Sequence, residues 1–241
     1  MNRKISFAPG EFYHIYSRGV EKRTIFEDEG DRMRFISLLF YCNDTSKIVM
    51  KGIMKDGYSS KKFRKHKRNA LVDIGAYCLM SNHFHLIIYE KEENGICLFM
   101  QKLLTAYTMY FNKKHKRVGP LFQSRFQAQH ADEDYYLKYL FAYVHLNPVK
   151  LFQSDWIDTG LDDIKKAKKF IEEYKYSSYL DYFGIERGEN LVLNQKAFPG
   201  YFDTTSDFSE LIDDSLNYYN TYHPNPRSGL GKEEGLVDGG N

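Results

Sequence analysis

From Glu11 to Gly19 (EFYHIYSRG) polar and apolar residues alternate with a period of two, and the run ends on glycine; this predicts a strand. The period changes over Asp28 to Asn43. There Phe35, Leu38, Leu39 and Cys42 fall at helical spacing, and acids fill the first turn, where a helix dipole favours them. Leu71 to Met80 and His83 to Glu90 read as two further strands, joined at Ser81-Asn82 by a tight hairpin turn in which Asn tolerates positive φ. Phe99, Leu103, Leu104, Tyr107, Tyr110 and Phe111 mark an amphipathic helix, Gly119-Pro120 breaks the chain, and Leu121 to His130 can form a fourth strand. Asp132-Glu133-Asp134 opens a helix that runs to about Leu146, where Asn147-Pro148 stops it. Strand, helix, two strands, helix, strand, helix is the order of an α+β fold, most simply an antiparallel sheet with helices packed on one face. After residue 152 the pattern weakens. A helical stretch near Asp162 to Tyr174 and an aromatic segment, Tyr174 to Phe183, are expected to pack back on the domain. The expected division is a domain over 1–152, an extension over 153–185 and an acidic appendage over 186–241, whose Gly- and Pro-rich end from Pro224 is expected to fray.

Composition narrows the class. A chain of 241 residues that is 42% hydrophobic and 16% aromatic can bury a sizeable core, which excludes disorder throughout. No apolar run approaches the ~20 residues needed to cross a bilayer, so a membrane is not expected as a partner. Met1 to Phe12 has no continuous apolar stretch and does not read as a secretory signal. Cys42, Cys78 and Cys97 are widely spaced and lack a C-x-x-C pattern, which suits the thiols of a cytoplasmic protein.

The net charge of +2 argues against nucleic acid only until it is divided. Residues 186–241 carry ten acidic and four basic side chains, a net of −6, which leaves +8 on residues 1–185. Residues 1–152 alone hold 25 basic against 15 acidic. The sharpest run is Lys47 to Arg68, where Lys47, Lys51, Lys55, Lys61, Lys62, Arg64, Lys65, Lys67 and Arg68 face Asp56 alone. Clustered cations suit a phosphate backbone, although a charge run taken by itself is more often a solvated loop.

His83-Phe84-His85 is the first candidate for chemistry. Side chains alternate along a strand, so His83, His85, Ile87 and Tyr89 share one face, while Phe84, Leu86 and Ile88 form an apolar face for the helices. Two imidazoles about 7 Å apart on one face can ligate one metal ion, or can simply be polar groups on a solvated sheet. The helix before Pro148 is the second candidate. Its core stripe is Leu137, Leu140, Phe141 and Val144; Tyr139, Tyr143 and Asn147 form another stripe at its shoulder, with Tyr136 beside them. A hydroxyl there can reach a metal on the sheet and a carboxamide can complete its coordination, but spacing does not choose among Tyr136, Tyr139 and Tyr143.

In their order, YHIYSRG (13–19), LMSNHFHLII (79–88), GPLFQSRFQAQ (119–129) and YVHLNPVK (143–150) resemble the single-tyrosine HUH transposases of insertion sequences, most of all the REP-associated branch. The resemblance spans roughly residues 8–182. It implies a ferredoxin-like sheet with the His-x-His strand central, and a divalent metal, Mg2+ or Mn2+, held by His83 and His85 with Asn147 as polar third ligand. It implies Tyr143 as the nucleophile that cleaves single-stranded DNA beside a hairpin, leaving a 5′-phosphotyrosine and a free 3′-OH. Arg18-Gly19 matches a family signature near the site with no assigned role. Members act as monomers or as homodimers that exchange the tyrosine helix.

The chemistry agrees with these residue types, since a metal offsets phosphate charge and a phenol of pKa near ~10 needs polarisation to attack. A phosphotyrosine conserves bond energy, and the chain has no P-loop to supply a nucleotide. Expected DNA contacts are Arg18, Lys61, Lys62, Arg64, Lys65, Lys67, Arg68 and Arg125, with Gln127 beside the last. His14 could approach the metal face as a base or phosphate ligand or serve structure, and His145 reads as a surface or capping histidine. The rival to a DNA strand transferase is a domesticated protein that binds nucleic-acid hairpins without cutting; a water-using metal hydrolase is a third possibility.

Overall fold

The computed structural model describes residues 5–46 and 68–222. Its centre is a four-stranded antiparallel sheet in the order β2-β3-β1-β4, built from β1 (Phe12–Arg18), β2 (Val72–Leu79), β3 (His83–Glu90) and β4 (Gln127–His130). The first helix, α1 (Glu29–Tyr41), joins β1 to β2, and α2 (Gly95–Lys114) joins β3 to β4. This is the ferredoxin-like arrangement, with the His-x-His strand in the interior of the sheet.

Register explains the two faces. Tyr16 pairs with His85 and Arg18 with His83, so their side chains share a face with Cys78 and Ala76 across β2. The other face presents Ile15, Phe84, Leu86 and Ile88 to Phe35, Leu38 and Leu39 of α1 and to Phe99, Leu103 and Tyr107 of α2. Helices α1 and α2 therefore lie on one face, as expected of the core. The helix after β4, α3 (Asp134–Leu146), lies on the opposite face, so helices cover both. Its stripe of Leu137, Leu140, Phe141 and Val144 packs with Ala76, Cys78 and Ile87, each large side chain contributing about 1.5–3 kcal/mol by leaving water. A face with β2 buried at every position leaves no solvated side for the histidines.

Residues beyond α3 complete this second core. Short helices α4 (Val149–Phe152), α5 (Trp156–Thr159), α6 (Ile164–Glu173) and α7 (Tyr179–Tyr182) supply Trp156, Ala167, Ile171 and Tyr179. The acidic region is not loose over its described part. Val192 enters the first core, and helix α8 (Thr205–Tyr222) buries Phe208, Ile212, Leu216 and Tyr219 in the second. The stretch from Pro224 lies outside the described residues.

Two glycines are required by close approach. At Gly75 the β2–β3 register shifts, and a Cβ there would stand 2.7 Å from the Phe198 ring. At Gly19 a Cβ would meet the Arg23 carbonyl oxygen at 2.3 Å. The glycine of the Arg-Gly pair thus lets β1 turn sharply, while its N–H donates to the Asn82 carbonyl at 2.9 Å. The fourth strand is shorter than expected. Only Tyr13 to Tyr16 of β1 find partners on β4, and Leu121 to Phe126 run as bends, with Phe122 bridged to Gly19.

Candidate active site

His83 and His85 project from β3 toward α3 and are buried, 1% and 0% exposed. Their rings are perpendicular, with centroids 5.0 Å apart. Each imidazole is oriented through Nδ1. His83 Nδ1–H donates to the Asn82 Oδ1 at 2.5 Å, and Asn82 Nδ2 donates in turn to the Lys22 carbonyl at 3.2 Å. Asn82 does not take the positive φ expected of it as a turn residue; its side chain instead braces the neighbouring histidine. His85 Nδ1 lies 2.9 Å from Nε2 of His14, and the two rings are nearly parallel, 15° apart. The tautomer that leaves His85 Nε2 its lone pair donates Nδ1–H to His14. His14 is thereby a positioning group for His85.

The outward nitrogens are the informative atoms. Nε2 of His83 and Nε2 of His85 are buried without a hydrogen-bond partner, and so is Oδ1 of Asn147, whose Nδ2 donates to the Tyr143 carbonyl at 2.9 Å. Leaving a buried acceptor unpaired costs about 1–3 kcal/mol, so each of the three calls for a partner. Two imidazole nitrogens and an amide oxygen, all lone-pair donors, suit a divalent cation. Among the described residues no group of three His, Cys, Asp or Glu side chains is placed to hold a metal ion. Burial is the main cause of both histidines staying neutral: it lowers His83 to about 3, helped by the charge of Lys150, and His85 well below its usual value, helped first by His83 and His14 and then by Lys150. Arg18, paired with His83 across the strands, adds to the effect at His83.

The three tyrosines of α3 separate by their neighbours. Tyr136 donates to Gln129 Oε1 at 3.0 Å, and the hydroxyls of Tyr139 and Tyr219 are 2.7 Å apart. Tyr143 meets the histidines edge-on, its ring 5.5 Å from His85 and 5.6 Å from His14. It is half-buried and lines a cleft with Asn147, Lys150, Trp156 and Tyr219. His145 faces away. It is fully buried rather than on the surface, with Nδ1 donating to the Phe141 carbonyl at 2.8 Å and Nε2 2.7 Å from the Ser178 hydroxyl. Ser178 Oγ also accepts from the Tyr77 N–H at 2.9 Å, so His145 ties α3 to β2.

The expected DNA contacts divide. Arg18 stands beside the histidines, and Arg125 is exposed in the bend before β4 rather than on the strand. Lys61, Lys62, Arg64, Lys65 and Lys67 lie outside the described residues. Arg68 does not present its guanidinium to a ligand. It donates to the carbonyls of Phe40 at 3.0 Å and Leu191 at 3.1 Å and stacks 4.1 Å from the Phe40 ring centroid, and burial lowers its pKa to about 10. No helix among the described residues is long and apolar enough to cross a membrane.

Sequence reasoning missed Asn82, legible only as a turn residue, and Lys150, which two helical turns after Tyr143 could have suggested. It also missed Tyr219, on a helix whose apolar spacing lay within an acidic stretch.

Residues 36–147 match the family model described as Transposase IS200 like. The chain is similar to a solved REP-associated tyrosine transposase bound to a REP hairpin, with 11% identity, 78% of this chain and 89% of that one covered, and a TM-score of 0.47. No curated protein matches it.

Proposed function

We propose that this protein is a metal-dependent strand transferase that cleaves and rejoins single-stranded DNA near a hairpin, a reading supported by the match of residues 36–147 to the model of IS200-like transposases. The observation that carries the proposal is the set of buried, unpaired acceptors, His83 Nε2, His85 Nε2 and Asn147 Oδ1, on the face that Tyr143 covers. Mg2+ or Mn2+ held by these atoms would offset the phosphate charge and polarise its non-bridging oxygens. Tyr143 is the nucleophile. Its Oη forms a bond to phosphorus as the P–O3′ bond breaks, the phenol proton goes to solvent, and the departing 3′ oxygen takes up a proton. The product is a 5′-phosphotyrosine, and reversal by a 3′-OH rejoins the strand.

His14 and Asn82 hold the two imidazoles in orientation, and Arg18, paired with His83 across the strands, is a proposed contact to the DNA. Tyr143 stands against His14 and His85 of its own chain, the arrangement that cleavage by a monomer would use. Lys61, Lys62, Arg64, Lys65, Lys67 and Arg125 remain the proposed contacts to the DNA backbone.

The test is incubation with hairpin-bearing single-stranded DNA, with Mg2+ or with EDTA. Nicking that needs the metal and leaves protein on the 5′ end supports the proposal. Tight hairpin binding with no nicking under any divalent metal would instead identify a non-catalytic hairpin-binding protein, and nicking without an adduct would identify a hydrolase.

A further inference from the structure

We propose that Lys150 is a further catalytic residue, the cation that binds the phosphodiester under attack by Tyr143. The inference rests on the strand-transferase reading and assigns a role within the same site.

The placement begins with the helix break. Pro148 has no N–H, so α3 ends at Leu146. Yet Asn147 (φ −52°, ψ −39°) and Pro148 (φ −61°, ψ −19°) keep right-handed helical dihedrals, and α4 resumes at Val149. The Lys150 N–H donates to the Asn147 carbonyl at 3.1 Å. Helical phase is therefore carried through the break, and Tyr143, Asn147 and Lys150 follow one another at i, i+4 and i+7 on one side. The Lys150 Nζ stands 5.9 Å from the centre of the Tyr143 ring, and both residues line the cleft with Asn147. Trp156 and Tyr219, edge-on at 5.0 Å, form its apolar wall.

The electrostatics of this position are informative. The Tyr143 ring centre lies 5.9 Å from the Lys150 Nζ and 5.5 Å from the His85 ring centre, so the ammonium is a near neighbour of the histidine pair. A cation so placed also opposes a divalent ion at the same histidines, so it works against metal affinity. It is favourable when an anion enters. The phosphodiester brings one negative charge, and more builds on the non-bridging oxygens as Tyr143 Oη bonds to phosphorus and the P–O3′ bond lengthens. An ammonium fixed in a partly dry cleft stabilises that charge most at the transition state. Lys150 keeps its proton throughout, and no other reactant is needed.

The test compares wild type, Lys150→Met and Lys150→Arg in two measurements: the rate of covalent adduct formation at saturating hairpin-bearing single-stranded DNA with Mg2+, and Mn2+ affinity by titration without DNA. Lys150→Met should slow the adduct step about 10²-fold, as expected for loss of one preorganised charge-stabilising group, and Lys150→Arg should recover most of the rate. Mn2+ should bind Lys150→Met at least as tightly as wild type, the opposite of what a damaged site would do. A wild-type rate in Lys150→Met would overturn the proposal, as would parallel loss of rate and Mn2+ binding. Absence of any wild-type adduct would overturn the strand-transferase reading and this inference with it, which separates the two failures.

Discussion

Replacing His14 by Leu removes both the ring and the acceptor that faces His85. His14 Nε2 is 2.9 Å from His85 Nδ1, the residues are 1% and 0% exposed, and no solvent reaches the pair to take over the bond. In His14→Leu the His85 Nδ1–H is buried without an acceptor, which costs about 1–3 kcal/mol. The imidazole is then relieved by rotating or by moving its proton to Nε2, and either change withdraws the lone pair offered to a metal. Loss of such an orienting partner weakens metal binding about 10- to 100-fold, or about 1.4–2.7 kcal/mol. Calorimetric titration with Mn2+ measures it directly, with His85→Ala as the variant that lacks the ligand itself. His14→Leu should lie between wild type and His85→Ala, and His14→Gln, which keeps an acceptor, should bind more tightly than His14→Leu. Wild-type affinity in His14→Leu, with affinity lost in His85→Ala, would refute the reasoning.

Acid should destabilise the metal-free protein earlier than its carboxylates would. His83 and His145 are held neutral, each with its pKa lowered to about 3, whereas unfolded histidines protonate near ~6.5. The unfolded state therefore binds more protons below that pH, so stability is full above it and falls as pH drops toward 3. The loss is about 2 kcal/mol per histidine at pH 5, and denaturant titrations at pH 7.5 and pH 5 should differ accordingly; equal midpoints would contradict it. Arg68→Met should cost about 2 kcal/mol of stability through the lost bonds to the Phe40 and Leu191 carbonyls. It should leave the salt dependence of DNA binding unchanged, whereas each phosphate-contacting lysine removed should lower that slope by about 1.

Much of the fold was legible because its periods are strong. The alternation in β1 and β3 and the stripe of Leu137, Leu140, Phe141 and Val144 each admit one reading. The strand alternation of His83 and His85 was legible, and the structure buries both on one face of the sheet. What brings His14 to His85 was not legible, because it depends on a register between strands 71 residues apart in the chain. The contact of the Tyr139 hydroxyl with Tyr219, from the far end of the chain, was likewise not legible. The length of β4 was overestimated because an edge strand pairs only as far as its neighbour permits, and Gly19 turns β1 away. Phe208, Ile212, Leu216 and Tyr219 carry a helical spacing that the surrounding acids obscured.

Tyr143 is the proposed nucleophile of a metal-dependent strand cleavage. The most direct measurement is peptide mapping by mass spectrometry of the protein after reaction with hairpin-bearing single-stranded DNA and Mg2+, followed by nuclease digestion. A nucleotide phosphate is expected on Tyr143, absent with EDTA and absent in Tyr143→Phe. A phosphate mapped to Tyr136 or Tyr139, or an adduct that persists in Tyr143→Phe, would contradict it.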